Sequence, residues 1–436
     1  MQFKSLLVDL KTKNSVSMPT ADVALSPSNS LTFFRGQTFF SSAFTVKNKN
    51  GIFLLELDKH YERLLVSYDI MFSRHNFPFS FDEFKTYIQE AIQSNVDCVD
   101  ENMHCIIYLV AGAPRALTFK DDVYSNGFGG YLEKLVILMN PYKKKPDWCY
   151  DKGLNLFTDI YQRPIASSKP ANYLHGAITQ HVVDALNVYA CFEFEFNNAP
   201  SIDKALQKAY KFYESLSNID QKAFLRFFNT ILYEGNFLDS QALENLSQSL
   251  GIKIKAELSW LESIKLDDVN TIFIKHFPDL FHEVMFVGKG SNPYILEGST
   301  FSFMGINKKN QCVFSPLTGN CDVPENSNSG SILNSTTISL LKRVAKKYDI
   351  QYCEMPFKLN DVLSFKAFYC ISTTRIKLDN NIYHLQPCKT INTTPLNCIK
   401  TDTYTKLMTS LVDYCQQYSY DVEFMKKDYP FSVANS

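Results

Sequence analysis

The side chains that could do chemistry together in this sequence are an amine, a guanidinium, a carboxylate and several hydroxyls, spread over most of the chain. Lys169 stands in Ser-Ser-Lys-Pro-Ala-Asn-Tyr-Leu, and an amine can act as nucleophile or base. Alone it reads as a solvated surface residue, as most lysines are. Its company raises its standing. Gln162-Arg163-Pro164 precedes it, and Lys169-x-x-Asn172-Tyr173-Leu174 opens what should be a helix. Upstream lie Gly36 to Phe40 and then Leu57-Asp-Lys-His60-Tyr-Glu-Arg63-Leu64. Downstream come Glu297-Gly298-Ser299-Thr300, Ile332-Leu333-Asn334-Ser335-Thr336-Thr337 and Ser372-Thr373-Thr374.

That ordered series resembles the fold-type IV pyridoxal phosphate (PLP) enzymes, the class IV aminotransferase family that includes D-amino-acid and branched-chain aminotransferases and aminodeoxychorismate lyase. The resemblance runs from about Gly36 to Ile376 and implies an α+β or α/β protein of two domains. It also implies a role for each matching residue. Lys169 would carry the cofactor as an aldimine and then shuttle a proton at the substrate Cα, a base contribution of about 10² to 10⁴ in rate. Glu297 would face the pyridine nitrogen and keep it protonated, so that the ring accepts electrons. Arg63, Thr336, Thr337, Ser372 and Thr373 would hold the phosphate, which calls for a charged donor and for helix-start amides. Tyr173 would reach the ring hydroxyl. Ala113-Pro114-Arg115-Ala116 resembles the Pro-Arg-Ala segment of D-amino-acid aminotransferases, which makes Arg115 the substrate carboxylate anchor, with Phe39, Phe40 and Thr374 lining the substrate pocket.

The implied activity is transfer of an amino group between an amino acid and a 2-oxo acid by a ping-pong mechanism. A lyase of the aminodeoxychorismate type, with the same lysine and carboxylate, is the alternative, and a non-catalytic scaffold is the third reading. The resemblance also implies a homodimer. The pattern departs at Ser335 and Ile338, where the family has a glycine and an arginine, at Ser302 near its usual asparagine, at Leu117 in place of its histidine, and at Lys366. The largest departure is length, since 128 positions separate Lys169 from Glu297. Residues 188 to 281 are the expected extra block, either a lid or dimer-extending unit or a docking surface for a partner.

Elements must bring these residues together. Residues 51 to 57, 105 to 111 and 135 to 139 are short apolar runs that read as buried strands. Ser80 and Glu83 form a capping box ahead of Phe84, Tyr87, Ile88, Ala91 and Ile92, one apolar helix face. Pro141 to Asp151 reads as a boundary, giving domains of 1 to 150 and of 151 to 187 plus 282 to 436, with 188 to 281 between. In that block Leu206, Ala209, Tyr213, Phe224, Phe227, Phe228, Ile231, Leu243, Leu246 and Leu250 recur at helical spacing, and Gly235 and Gly251 stand at expected helix ends. Strands are expected again at Val284 to Val287, Thr300 to Met304 and Phe368 to Ile371, and a helix at Thr337 to Tyr348.

Composition narrows the classes. The chain has 436 residues, 45% hydrophobic and 20% charged, enough for two or three packed units. A net charge of −1 gives no electrostatic case for nucleic acid or an anionic membrane. Eleven scattered cysteines without a Cys-x-x-Cys pair suggest free thiols in a reducing compartment. No metal site is expected, and His276 and His282 read as ordinary helix residues. The apolar part of the start is too short for a signal peptide and no run reaches the ~20 residues of a membrane helix, so a cytoplasmic protein is expected.

Overall fold

A computed structural model describes residues 3–10, 12–20, 38–72, 77–98, 103–114, 131–142, 145–161, 169, 174–195, 198–233, 266–315, 333, 335–379 and 382–420. The first sheet contains β1 (Lys4–Asp9), β2 (Ser15–Pro19), β3 (Thr38–Asn48), β4 (Gly51–Leu54), β5 (Met103–Pro114) and β6 (Tyr131–Pro141). Its order is β2-β1-β6-β5-β3-β4, with every neighbouring pair antiparallel. Helices α1 (Leu57–Phe72) and α2 (Phe81–Gln93) pack on it, α1 on β3 and α2 on β1 and β6. The capping box forms: Ser80 Oγ accepts from the Glu83 amide at 3.2 Å, and Glu83 Oε2 accepts from the Ser80 amide at 2.7 Å. Phe84, Tyr87, Ile88, Ala91 and Ile92 are the buried face of α2, and each large side chain buried there contributes about 1.5–3 kcal/mol. The strand expected over 51 to 57 is shorter. It ends at Leu54, because Glu56 turns the chain at φ 56° and Leu57 already starts α1.

The second sheet follows α3 (Trp148–Asp151) and begins with β7 (Leu154–Ile160). Helices α4 (Leu174–Glu195), α5 (Ile202–Ser215), α6 (Asn218–Tyr233) and α7 (Leu266–His276) come next, before β8 (Phe281–Val287). Strands β7 and β8 are parallel neighbours, so their connection must cross over, and these helices lie on that connection. Position 188, where the extra block was expected to begin, lies inside α4, and position 281 is the first residue of β8. Ser201 caps α5, accepting from the Lys204 amide at 3.3 Å. Leu243, Leu246, Leu250, Gly235 and Gly251 lie outside the described residues. His276 ends α7 as expected, but His282 is a strand residue of β8, with Nδ1 accepting from the Asn155 amide at 2.9 Å.

The remaining elements are β9 (Ile295–Gly298), β10 (Ser302–Ile306), β11 (Cys312–Phe314), α8 (Thr336–Lys347), β12 (Tyr352–Glu354), α9 (Leu359–Val362), β13 (Ala367–Ile371), β14 (Ile376–Asp379), β15 (Ile382–Ile391), β16 (Thr394–Pro395) and α10 (Asp402–Gln416). The sheet runs β12-β11-β10-β13-β15-β7-β8-β9, and β14 and β16 also pair with β15. Strands β10 and β13 are buried at every position, and β13 is apolar throughout whereas β10 also buries the polar Ser302. One apolar cluster joins the first sheet, α1, α2, α8 and α10, so the two sheets share a core. Among the described residues no helix is long and apolar enough to cross a membrane.

Candidate functional site

Three residues of α1 at helical spacing face β3 and Lys169. His60 Nδ1 and Ser41 Oγ are 2.7 Å apart, Arg63 Nη1 donates to the same hydroxyl at 3.2 Å, and Ser67 Oγ accepts from the Lys169 amide at 3.2 Å. The Lys169 carbonyl accepts from the Phe40 amide at 3.0 Å. The backbone of Lys169 is thus held by both α1 and β3, and its Nζ stands 4.7 Å from the centre of the Phe40 ring. Ser42, two residues beyond Phe40 on the same strand face, has its Oγ 2.7 Å from His104 Nε2 and 3.4 Å from Thr373 Oγ1.

The start of α8 forms a second wall. Ser335 is its N-cap at φ −80°, with its hydroxyl accepting from the Ile338 amide at 3.3 Å. Serine therefore serves where the family has glycine, since no positive φ is required. Ile338, two residues into the same helix, is buried in the core and does not line the site. Helix α8 is tied to the start of α1 by Arg343, whose Nη1 donates to Glu56 and to Asp58 at 3.2 Å each, with Nη2 also paired to Asp58. That clamp fixes α1, which carries Arg63, against α8, whose amino terminus offers free amides. Burial pushes the Glu56 carboxyl up to about 7, with Arg343 pulling the other way.

A third wall comes from β9 and the turn after it. Glu297 is buried on β9, and the Gly298 amide donates to the Phe301 carbonyl at 2.8 Å. A Cβ on Gly298 would lie 2.2 Å from the Phe301 ring, so the turn closes this tightly only with glycine there. The loop after β13 supplies Ser372, Thr373 and Thr374, with Ser372 Oγ and Thr374 Oγ1 3.3 Å apart.

These walls enclose a cavity of about 380 Å³. It brings together Arg63, Lys169, Glu297, Thr336, Thr337, Ser372, Thr373, Thr374 and Phe40, all of them candidates from the sequence, and Ser302 and Ser335 line it too. Phe39 does not line it. Consecutive strand residues face opposite ways, so with Phe40 on the cavity side Phe39 packs into the core. Arg115 and Tyr173 lie outside the described residues. Lys366 is on the surface, donating to Asn310 Oδ1 at 2.6 Å. The lining residues that the sequence reading missed include Ser42, His104, Ile106 and Tyr108. The last three alternate along β5, and period-two spacing could have singled them out once one was suspected.

Electrostatically the cavity favours an anion. The amino terminus of α8 carries partial positive charge, and Arg63 adds a full one. The imidazole of His60 is held well below its usual range, first by burial and then by Arg63 and Lys169. His104 is lowered as well, by burial and then Lys169. Both rings are therefore neutral at physiological pH and act as hydrogen-bonding groups. Opposite charge enters with the Glu297 carboxylate.

Comparison with solved structures identifies the fold. The chain is similar to a T.th. branched-chain amino acid aminotransferase with pyridoxamine 5'-phosphate, at 12% identity and TM-score 0.54 with 98% of each chain covered. The same enzyme complexed with N-(5'-phosphopyridoxyl)-L-glutamate matches at 12% identity and TM-score 0.53, again covering 98% of each. A hypothetical aminotransferase from Mycobacterium tuberculosis in its PLP-bound form matches at 13% identity and TM-score 0.50, covering 94% of this chain and 99% of that one. The chain therefore has the α+β, fold-type IV architecture seen in aminotransferases. No protein-family model and no curated protein matches the sequence.

Proposed function

We propose that this protein is a PLP-dependent aminotransferase that moves an amino group from an amino acid to a 2-oxo acid. One observation carries the reading: residues as distant in sequence as Arg63, Lys169, Glu297, Thr336 and Thr373 line a single cavity. Its volume of about 380 Å³ lies within the range of small-molecule sites. The donor set also fits the cofactor. A phosphate dianion needs charge-assisted donors, which Arg63, the buried hydroxyls of Thr336 and Thr337 and the α8 amides can supply. A pyridine nitrogen needs an acidic partner, which the buried Glu297 can supply.

Bound PLP would supply an electron sink for the charge released at the substrate Cα. The chain's own residues do the rest. Arg63, Thr336, Thr337, Ser372 and Thr373 bind the phosphate. Glu297 keeps a proton on the ring nitrogen. Lys169 Nζ would hold the cofactor covalently and, once displaced by the substrate amine, would serve as the base at the substrate Cα, a contribution of about 10² to 10⁴ in rate. Phe40, Thr374 and Arg115 are assigned to the substrate, Arg115 to its carboxylate. Because one site serves donor and acceptor in turn, the donor leaves as its 2-oxo acid before the acceptor enters, which is ping-pong kinetics.

The test is a half-reaction. PLP-loaded protein mixed with a panel of D- and L-amino acids should convert to the pyridoxamine form spectroscopically and return on addition of pyruvate or 2-oxoglutarate. If no donor converts it, the transferase reading is overturned.

A further inference from the structure

We propose that Arg375 is a positioning residue that holds two cavity walls in register, the loop Ser372–Thr374 and the turn that follows Glu297. For what the cavity binds, the inference rests on the PLP reading. Arg375 is 3% exposed and does not line the cavity, so whatever it does for the site it does through its neighbours.

Those neighbours belong to both walls. On one side the Arg375 amide donates to the Ser372 carbonyl at 3.0 Å, closing the turn that presents Ser372, Thr373 and Thr374. On the other, Nη2 pairs with Glu283 Oε1, and the second oxygen of Glu283 accepts from Ser299 Oγ at 3.2 Å. Ser299 follows Gly298 in the turn. The guanidinium carbon also lies 4.4 Å from the centre of the Phe301 ring, and that ring fills the space against Gly298, directly after Glu297. Nη1 donates to Gln386 Oε1 at 2.8 Å and anchors the group to β15. A planar fork with a stacking face is required to satisfy these directions at once, and arginine is the side chain that has both.

Stability alone does not account for the arrangement. A buried ion pair carries a desolvation penalty that apolar residues of similar volume avoid, and Arg375 Nε has no hydrogen-bond partner among the described residues. What the pair supplies instead is a fixed relation between the phosphate-side loop and the carboxylate-side turn. Displacement of either by about 1 Å would misplace a group that touches the cofactor.

The experiment compares Arg375→Lys with the double variant Arg375→Met/Glu283→Met, measuring PLP affinity of the apoprotein, Tm, and hydrogen exchange of segments 298–301 and 372–374. Removing both charges together should leave Tm near the wild-type value. Both variants should nevertheless bind PLP about ten-fold or more weakly, and both segments should exchange faster. Double-variant exchange and affinity equal to wild type, with Tm unchanged, would overturn the proposal, and so would wild-type behaviour of Arg375→Lys. If the wild-type apoprotein itself fails to bind PLP, the functional reading falls, and the exchange comparison still decides whether Arg375 holds the two segments.

Discussion

The cavity walls and the helical block between β7 and β8 are both buried, but by opposite means. Around the cavity the interior is polar: Ser41, His60, Arg63, Glu297, Thr336 and Thr337 are all buried. In the block it is aromatic, with Phe224 and Phe228 rings 4.7 Å apart, Phe227 and Phe228 4.8 Å apart, and Tyr189 5.6 Å from Phe224. Its polar contacts lie where the helices meet: buried Glu193 pairs with Lys208, and Glu195 Oε1 meets His276 Nε2 at 2.6 Å and Lys275 Nζ at 3.0 Å. No described residue of α4 to α7 lines the cavity. Burying a polar group costs free energy unless it is partnered, so a fold collects such groups where they hold a ligand and fills the remainder with apolar surface. The two regions should therefore fail differently when mutated.

The sharpest contrast comes from Lys169→Ala. Transamination should fall by about 10³-fold or more in the half-reaction assay, while Tm of the apoprotein stays within a few degrees of wild type. Phe224→Ala should do the reverse. A fully buried phenylalanine left as a cavity destabilises by about 3–5 kcal/mol, read from the urea midpoint, and turnover per folded molecule should change by less than about two-fold. Loss of turnover in still-folded Phe224→Ala would break the division between the regions.

Next in size is a pH effect at the joint between them. His282 on β8 accepts from the Asn155 amide through Nδ1, and its Nε2 lies 2.8 Å from the Phe277 carbonyl, which requires the neutral ring. Burial lowers it from 6.5 to about 4. As pH falls below 6.5 the unfolded chain takes up a proton that the folded ring refuses, so this stabilisation is intact above 6.5 and is lost on the way down to 4. The slope is at most about 1.4 kcal/mol per pH unit, and His282→Gln should flatten that part of the profile relative to wild type in urea titrations. The smallest effect is expected from Ser335→Ala. Losing the cap of α8 should cost about 1 kcal/mol and, if the α8 amides hold the phosphate as proposed, weaken PLP binding more than pyridoxal binding. Equal weakening of both ligands would detach the helix start from the phosphate role.

The sequence was most informative where a local rule has one outcome. The capping box and five apolar positions of α2 did not depend on distant contacts, and the strand expected over Phe368–Ile371 is the all-buried β13. Motif order placed Arg63, Lys169, Glu297 and Thr336 in one family scheme, although nothing in their spacing requires the single cavity that they line. What stayed hidden depends on tertiary pairing. Residues 51 to 57 look like one strand until Glu56 adopts a positive φ. Phe39 and Phe40 differ only by strand phase, which is set by pairing with β5. His104, Ile106 and Tyr108 carried no motif, and Arg375 sits one residue past one, where only its contacts reveal it.

The central claim is that the Lys169 amine faces a cavity shared with Arg63 and Glu297 and is the covalent attachment point for PLP. Borohydride reduction of the PLP-loaded protein followed by peptide mapping tests it directly. The account predicts one reduced adduct, on Lys169, lost in Lys169→Ala; no adduct, or an adduct on another lysine, would contradict it.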